Sequence, residues 1–355
     1  MESRNRPYIV AVDYLRGISA IWVVGHHTLD LLPETFINRN SSINPIVVFL
    51  NSGWMGVSIF MILSGYCLSF GTKESTINWS KFALSRFLRI APMYYFVLII
   101  SLMFGTVGFI SFIGATMFLP FSDAAVYRPI MWTVWSIRIE VLTYLFFPIL
   151  WFLSKRKEDV LRWLGLSIFL ILLMQMSTQS AELTLYWGLP GRLFEFSIGF
   201  YIGRFGINHR SKITFWTSFI GLFLLTPYII RELGGFMSLS QSAWYYLYSW
   251  NIVLIFCLVS NLEAWKKSSI FFPFQLAGRY SYSIYLVHVT IIVVFGREVL
   301  GFLVNYLNYS SSFILTSLFI LILTFILSGI LFELIEKPFL KIRPKYLTKI
   351  TYFKK

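Results

Sequence analysis

Long apolar runs, separated by short polar connections, follow one another along almost the whole chain. Ten of these runs are about 18 to 25 residues long, which is the length that an α-helix needs to cross the roughly 30 Å hydrocarbon core of a bilayer. The pattern therefore predicts an all-α fold, a polytopic membrane bundle of about ten transmembrane helices with no sizeable soluble domain. The predicted spans are 8–32, 46–70, 84–107, 131–153, 161–178, 187–205, 213–230, 243–262, 279–297 and 312–335.

One further apolar segment, GFISFIGATMFLPF at 108–121, is too short to be counted with these spans. We predict that it is re-entrant or lies at the membrane interface. Counting it as a span would reverse the side of every later loop.

The composition excludes an ordinary soluble protein. The chain is 57% hydrophobic and only 13% charged, whereas soluble proteins carry roughly 25% charged residues. The two cysteines, Cys67 and Cys257, both lie in apolar runs, and we expect them to be core residues rather than a disulfide.

The distribution of the basic residues predicts the orientation in the membrane. The net charge is +14, which in a soluble protein would suggest a nucleic-acid partner. Here 23 of the 30 Lys and Arg fall in alternate loops on one side, the pattern that identifies the cytoplasmic side. Both termini are therefore predicted to be cytoplasmic, and no nucleic acid is expected. A membrane domain at 1–340 is followed by a basic tail, 341–355, which we expect to lie on anionic headgroups.

The stretch DYLRGISAIWVVGHH (13–27) places ionisable groups inside the first apolar run. Such groups are costly in hydrocarbon, and where they persist they usually serve a function. Arg16 and His27 are eleven residues apart, so three helical turns place them on one face, about 16 Å apart along the axis. This stripe would offer a cation to a ligand from inside and an imidazole for proton transfer nearer the outside. The alternative is that His27 is a buried side chain that hydrogen-bonds to a neighbouring helix.

Nearby acids offer partners to these groups. Asp13 is three residues before Arg16, so an ion pair within the helix is expected. Asp30 follows His26 and His27 closely enough to meet either ring. Each pairing is compatible with a purely structural role.

Three ionisable groups in later spans, Arg192, Glu195 and His288, are expected to be structural. Arg192 and Glu195, at i and i+3, are predicted to form a pair that lines an internal cavity. His288 lies in the middle of a span and is predicted to satisfy a neighbour. No set of His, Cys and acidic residues has metal-ligand spacing, so no metal is expected.

Seven segments, taken in order, resemble the signatures of the membrane-bound acyltransferase-3 family. The first contains the family's Asp-x-x-Arg-Gly element, and its Arg-x(10)-His spacing ends on His27. The departures are a second histidine at His26, Ile137 in place of the usual Leu, and Val141 where a second glutamate is common. The segments are DYLRGISAIWVVGHH (13–27), GVSIFMILSGYCLSF (56–70), SRFLRIAPMYY (85–95), WSIRIEVLTYLFFP (135–148), RLFEFSIGF (192–200), YSYSIYLVH (280–288) and EKPF (336–339).

The resemblance implies transfer of an acyl group, usually acetyl from acetyl-CoA, to a hydroxyl of an envelope or exported polysaccharide or its lipid-linked precursor. Acetyl-CoA is made in the cytoplasm, whereas many such acceptors are modified on the outer side, so we expect one polar passage through the bundle to bring them together. The implied partners are acyl-CoA, a saccharide acceptor and the lipid bilayer. The resemblance is also compatible with assembly of the chain into a homo-oligomer. The family and the charge asymmetry together favour a bacterial inner (plasma) membrane.

The resemblance also implies roles for individual residues. His27 is the candidate catalytic base that deprotonates the acceptor hydroxyl, or it carries the acetyl group in a relay. Glu140 is the second catalytic candidate, and we expect it to approach His27 and orient the imidazole. Arg86 and Arg89, one turn apart at the inner mouth of the third span, and Arg16, deeper in, are candidates for binding the CoA phosphates. Alternatively, Arg86 and Arg89 are ordinary topology anchors.

A transporter or flippase for a lipid-linked saccharide is the alternative function, with the embedded charges lining its path. The sequence argues mildly against it, because the two halves of the chain show no paired Gly/Pro-broken helices. The ionisable groups also cluster on a few spans.

Overall fold

The structure, a computed structural model, describes residues 8–32, 45–70, 72, 75–103, 109–116, 134–180, 185, 187–206, 211–233 and 240–349. These residues form helices and one short antiparallel strand pair, β1 (Ser75–Ile77) with β2 (Leu347–Lys349). The helices are α1 (Val10–Thr28), α2 (Pro45–Ser69), α3 (Trp79–Met103), α4 (Phe109–Thr116), α5 (Val134–Leu153), α6 (Lys157–Thr178), α7 (Leu189–Phe205), α8 (Lys212–Glu232), α9 (Gln241–Ser260), α10 (Ser269–Leu303) and α11 (Tyr309–Ile342).

Eight of the described helices are long and apolar enough to cross a membrane, and the predicted polytopic helical bundle is confirmed. The other two predicted spans are α1 and α7, which also form helices. They are more polar or shorter: α1 carries Asp13, Arg16 and two histidines, and α7 has 17 residues. Both pack inside the bundle, α1 against α10 and α2, and α7 against α2 and α6.

Close backbone contacts hold α1 against α10. A Cβ atom at Gly278 would lie 1.9 Å from the carbonyl oxygen of Asp13, and one at Gly17 would lie 1.9 Å from that of Phe274. Small residues at such crossings let two membrane helices approach closely. Gly17 directly follows Arg16, so this contact also fixes where Arg16 enters the bundle.

The contacts between α1 and α10 advance together along both helices. Tyr14 Oη donates to the Ser268 carbonyl at 3.1 Å, and further along the rings of His27 and His288 lie 5.2 Å apart. The two helices therefore run in the same direction, as the first and ninth spans of the predicted topology must.

The helices α2 and α7 are parallel as well. Arg192 Nη1, near the start of α7, donates to Ser58 Oγ in the middle of α2 at 2.9 Å, and Gly203 lies against Tyr66 and Ser69 near the ends of both helices. A shared direction is what the predicted topology requires of the second and sixth spans.

The short helix α4 lies in that connection. Its eight residues span about 12 Å, well short of a bilayer core. Tyr94 and Tyr95 of α3 donate hydrogen bonds to the carbonyls of Ala115 and Thr116, at 2.8 and 3.1 Å. The described part of the predicted segment 108–121, residues 109–116, is thus a helix too short to cross by itself; residues 108 and 117–121 lie outside the described part.

The strand pair ties the end of the chain to the connection between α2 and α3. Ile77 lies opposite Leu347 in the ladder, and Asn78 N donates to the Tyr346 carbonyl at 2.9 Å. The residues just after α11 are therefore held across the end of the bundle where α1 and α3 begin.

Candidate active site

A cavity of about 700 Å³ opens at the end of the bundle where α1 and α3 begin and α11 ends. Its volume is in the range of sites for small molecules and cofactors. Seven cationic side chains line it, against the three carboxylates of Asp13, Glu140 and Glu333. This excess of positive charge favours an anionic ligand. The cations are Arg16, Arg86, Arg89, Arg279, Lys337, Lys341 and Arg343.

The three arginines expected to bind phosphate all lie in the wall of this cavity. Arg89 is fixed by a charged hydrogen bond from its Nη1 to Glu336, a carboxylate that is 1% exposed and also accepts from Ser283 Oγ at 2.9 Å. The guanidinium carbon of Arg86 lies 5.6 Å from the ring centres of Tyr144 and Tyr346. At that distance an aromatic face attracts a cation, so both arginines are held in place by protein contacts.

Arg16 forms no ion pair with Asp13 in the described chain, and the expected pairing is wrong. Asp13 instead accepts a hydrogen bond from Tyr8 Oη at 2.7 Å, and Tyr8 in turn accepts from Gln275 of α10 at 2.7 Å. Because Tyr8, just before α1, supplies the partner of Asp13, Arg16 is left to line the cavity.

Glu140 lies on α5 in the wall of the same cavity. Its carboxylate accepts a hydrogen bond from Tyr144, one turn further along the helix. One turn before Glu140, Ser136 Oγ and Tyr285 Oη are 2.6 Å apart. Glu140 therefore belongs with the arginines, and the expected contact with His27 is absent.

His27 lies at the other end of α1, where it lines a second cavity of about 210 Å³ together with Asp30 and Arg297. Its Nδ1 is 3.4 Å from Asp30 Oδ2, which confirms the predicted proximity of Asp30. An ionised carboxylate only accepts hydrogen bonds, so a hydrogen bond between the two side chains requires the proton on Nδ1. The lone pair of Nε2 then remains for proton transfer, and the side chain is 25% exposed.

Two aromatic side chains of α10 stand between the two cavities. Tyr285 lines the larger cavity, and its ring centre is 5.8 Å from that of His288. The ring centre of His288 is in turn 5.2 Å from that of His27. The single passage expected from the sequence is therefore not seen: Arg16 and His27 share a helix but line different cavities.

His288 is fully buried at this boundary. Its Nδ1 is 3.1 Å from the Ile284 carbonyl oxygen, which confirms the prediction that it satisfies a neighbour. Since a carbonyl only accepts, Nδ1 donates and Nε2 is the unprotonated nitrogen. This Nε2 is buried with no hydrogen-bond partner among the described residues.

A family model described as an acyltransferase domain, that of the acyltransferase-3 family, matches residues 9–333. The chain belongs to the acyltransferase-3 family. It is therefore an O-acyltransferase, which decides against the transporter hypothesis. None of the curated proteins and none of the solved structures compared with this acyltransferase matches it.

The acyltransferase also contains the predicted pair of Arg192 and Glu195. Arg192 Nη1 is 2.6 Å from Glu195 Oε2, and both residues are fully buried. They do not line the larger cavity, because α7 lies inside the bundle and Arg192 also reaches Ser58 of α2. The predicted ion pair is confirmed. The expectation that it lines the cavity is wrong for the larger cavity.

Sequence reasoning missed several aromatic residues of the acyltransferase site. Tyr144 holds Glu140, Tyr285 separates the cavities, and Tyr346 flanks Arg86. The i, i+4 spacing of Glu140 and Tyr144 was a usable signal, whereas the other two contacts join segments distant in sequence. Within the described residues, no group of three or more His, Cys, Asp or Glu is arranged to hold a metal ion.

Proposed function

We propose that the enzyme transfers an acetyl group from cytoplasmic acetyl-CoA to a hydroxyl of an envelope or exported saccharide, with His27 as the general base. The observation that carries the proposal is the arrangement along α1. A cationic cavity of about 700 Å³ surrounds Arg16 at one end, and an imidazole with a carboxylate partner, His27 with Asp30, stands at the other.

The charge and the position of the larger cavity support CoA as the donor. CoA carries a diphosphate and a 3′-phosphate, and arginine binds phosphate through strong charge-assisted hydrogen bonds. The basic end of the bundle is the side that the positive-inside pattern assigns to the cytoplasm, where acetyl-CoA is made. Arg86 and Arg89 line a cavity wall and are fixed by protein contacts, which favours a binding role over simple topology anchors.

In the proposed reaction His27 Nε2 removes the proton of the acceptor hydroxyl as its oxygen attacks the thioester carbonyl. The carbon–sulfur bond then breaks, and the imidazolium returns the proton to the departing thiolate of CoA. Asp30 stabilises the imidazolium through Nδ1, as the acid of a catalytic triad does. General acid–base catalysis of this kind typically contributes about 10²- to 10⁴-fold.

The acetyl group has a second chemical route. Nε2 could attack the thioester first, release CoA and pass the acetyl group to the acceptor in a later step. In such a relay the donor and the acceptor bind in turn. Ping-pong kinetics with isotope exchange between acetyl-CoA and CoA in the absence of acceptor would identify the relay.

Glu140 is assigned to the donor side in this proposal. Its carboxylate holds Tyr144, which flanks the guanidinium of Arg86. We therefore assign to it the positioning of the donor-binding groups, and Glu140→Gln should affect the KM for acetyl-CoA more than kcat.

The proposed function is tested with purified full-length enzyme, radiolabelled acetyl-CoA and candidate glycan acceptors. Wild type should transfer label, and His27→Gln, which keeps a polar side chain of similar size, should lose at least about 10²-fold in kcat while binding CoA normally. Matching elution and thermal unfolding of the two proteins would control for folding. Transfer that survives in His27→Gln would refute the role of His27, and failure of wild type to consume acetyl-CoA with any acceptor would refute the choice of donor.

A further inference from the structure

A ring nitrogen without a partner lies on the boundary between the two cavities. His288 is fully buried, and its Nδ1 lies 3.1 Å from the carbonyl oxygen of Ile284. Its other nitrogen, Nε2, is also buried and has no hydrogen-bond partner among the described residues. Polar atoms inside proteins nearly always have such a partner, so this nitrogen requires an explanation that the packing of the helices does not supply.

This nitrogen can only accept a hydrogen bond. The carbonyl of Ile284 accepts, so the proton of the neutral ring lies on Nδ1 and Nε2 carries the lone pair. We take the ring as neutral because a buried charge without a paired carboxylate is costly, and the acid of this region, Asp30, pairs with His27 instead. A ligand group that binds here must therefore be an N–H or O–H donor.

His288 stands where the acyl donor must pass. Its ring centre is 5.2 Å from that of His27 and 5.8 Å from that of Tyr285, which lines the cationic cavity. The proposed function places the phosphates of CoA in this cavity and the thioester at His27. The pantetheine arm that joins them must then displace Tyr285 and run along α10 beside His288.

The length of the pantetheine arm suits this path. Arg16 and His27 are eleven residues apart on α1, which is about 16 Å along the helix axis. The arm has about twelve bonds from its phosphate oxygen to its sulfur, as many as about four extended residues, which span about 13–14 Å. With a phosphate at one end and the acetyl group at the other, an extended arm covers this distance with little to spare.

The arm also carries a suitable donor close to its reactive end. Its last amide N–H belongs to the cysteamine unit and is separated from the sulfur by two carbon atoms. When the acetyl carbonyl lies beside His27, this amide lies on the side of the cationic cavity and therefore comes next to His288. An amide N–H and a neutral imidazole nitrogen form an ordinary hydrogen bond.

We propose that His288 Nε2 is a binding site for the cysteamine amide N–H of the acyl-CoA donor, and that this bond fixes where the thioester stops beside His27. The inference rests on the proposed function, because it assumes that the donor is a CoA thioester. The competing explanation is purely structural: His288 would then serve only through its bond to Ile284 and its packing.

Two substitutions of His288 separate these explanations. The amide nitrogen of asparagine can take the place of Nδ1 and keep the bond to the Ile284 carbonyl, but asparagine has no atom at the position of Nε2. Glutamine places its amide group at the position of Nε2 and loses the bond to Ile284. His288→Asn therefore removes the proposed contact and keeps the structural one, and His288→Gln does the reverse.

His26 supplies a matched control. Its ring centre is also 5.2 Å from that of His27, but it faces α2, where a Cβ atom at Gly53 would lie 2.8 Å from the Cβ atom of His26. Consecutive residues of a helix do not share a face, so the proposed path of the arm beside His288 does not run past His26. His26→Gln changes an imidazole next to His27 without changing the proposed contact.

The test uses two probes, CoA and a CoA analogue in which an ester oxygen replaces the cysteamine amide N–H. Neither probe carries an acetyl group that could react. Their affinities are measured by displacement of radiolabelled CoA from full-length protein in detergent, with thermal unfolding of each variant as the control for folding. The ester oxygen only accepts hydrogen bonds, so in the wild type it would leave Nε2 without a donor.

Wild type should bind CoA about 10- to 10²-fold more tightly than the ester analogue, the effect of one buried acceptor left unpaired. His288→Asn should bind CoA more weakly and lose most of this preference. His288→Gln can offer its carbonyl to the amide or its NH₂ group to the ester, so it should bind the ester analogue more tightly than wild type does. His26→Gln should keep the preference of wild type.

Equal binding of the two probes by wild type would overturn the inference, whatever the variants do. So would a preference that persists in His288→Asn or disappears in His26→Gln, since the amide would then be recognised elsewhere. If His288→Asn does not fold, the ester analogue must still gain affinity in His288→Gln, and its failure to do so counts against the site. If wild type binds neither probe, the donor of the proposed function is wrong, and this site falls with it.

Discussion

Replacing Glu336 by glutamine should destabilise the enzyme much more than the loss of one charge at a surface. Glu336 is 1% exposed, lies in a π turn of α11, and accepts hydrogen bonds from Arg89 and Ser283. Glutamine keeps the volume and the bond from Ser283 but removes the charge that neutralises Arg89. The Arg89 side chain is 16% exposed, so water screens the remaining cation only weakly. Removing one partner of a buried ion pair typically costs about 3–5 kcal/mol, and we expect the lower end of that range because Arg89 borders a cavity.

The neighbouring ion pair supplies a matched control. Glu333 pairs with Lys337 one turn away on the same helix, but these side chains are 49% and 31% exposed. Exposed pairs contribute about 0–1 kcal/mol, so Glu333→Gln should leave the unfolding temperature nearly unchanged. Thermal unfolding of both variants in the same detergent, followed by tryptophan fluorescence, measures the difference.

The same experiment links stability to the donor. If phosphate binds beside Arg89, CoA should compensate for the lost carboxylate and raise the Tm of Glu336→Gln more than that of wild type. Equally small losses of Tm in Glu336→Gln and Glu333→Gln would refute the reasoning, because they would show that Arg89 is solvated in the absence of its partner.

Two further predictions address the helix contact and the imidazole. Gly278→Ala would place a Cβ atom 1.9 Å from the Asp13 carbonyl oxygen, so α1 and α10 must separate at a cost of about 1–3 kcal/mol. The control is Gly301→Ala on the same helix, which has open space around its Cβ and should keep the wild-type Tm. Equal Tm values of the two variants would contradict the close contact. Asp30→Asn should lower kcat of acetyl transfer about tenfold or more, because Asp30 contacts His27. It should not change the affinity for CoA, because Asp30 lies outside the donor cavity. An unchanged kcat would show that Asp30 has no role in the reaction.

The sequence predicted the membrane helices well because hydropathy is a local property. The ten predicted spans correspond to α1–α3 and α5–α11, and the described part of 108–121 is a helix of only eight residues. The start of α10 was missed by ten residues: the helix begins at Ser269 with a 3₁₀ turn, and Pro273 lies in the first turn of the α-helical part, which begins at Phe272. Proline is tolerated there because the first turn needs no donor from its backbone nitrogen.

The candidate site was predicted only in part. Helical spacing placed His27 three turns from Arg16, and the predicted side of the loops placed Arg86 and Arg89 at the same end as Arg16. Asp30 meets His27 as predicted, whereas the expected approach of Glu140 is not found, because the rotation of α5 against α1 depends on packing between distant segments. For the same reason no local pattern indicated that Tyr285 separates the cavities or that Tyr346 lies against Arg86.

The parallel contact of α1 with α10 has a consequence for biogenesis. The contact joins residues 254 positions apart, as between Tyr14 and Ser268. At a synthesis rate of about 5–20 residues per second, the partner of α1 emerges roughly 13–50 s after α1 itself. During that interval the charged groups of α1 have no α10 to shield them, so we expect the first helix to enter the lipid weakly by itself. The first helix would then be stably inserted only after α10, the ninth predicted span, has entered the membrane. The bundle would therefore be completed late and cooperatively.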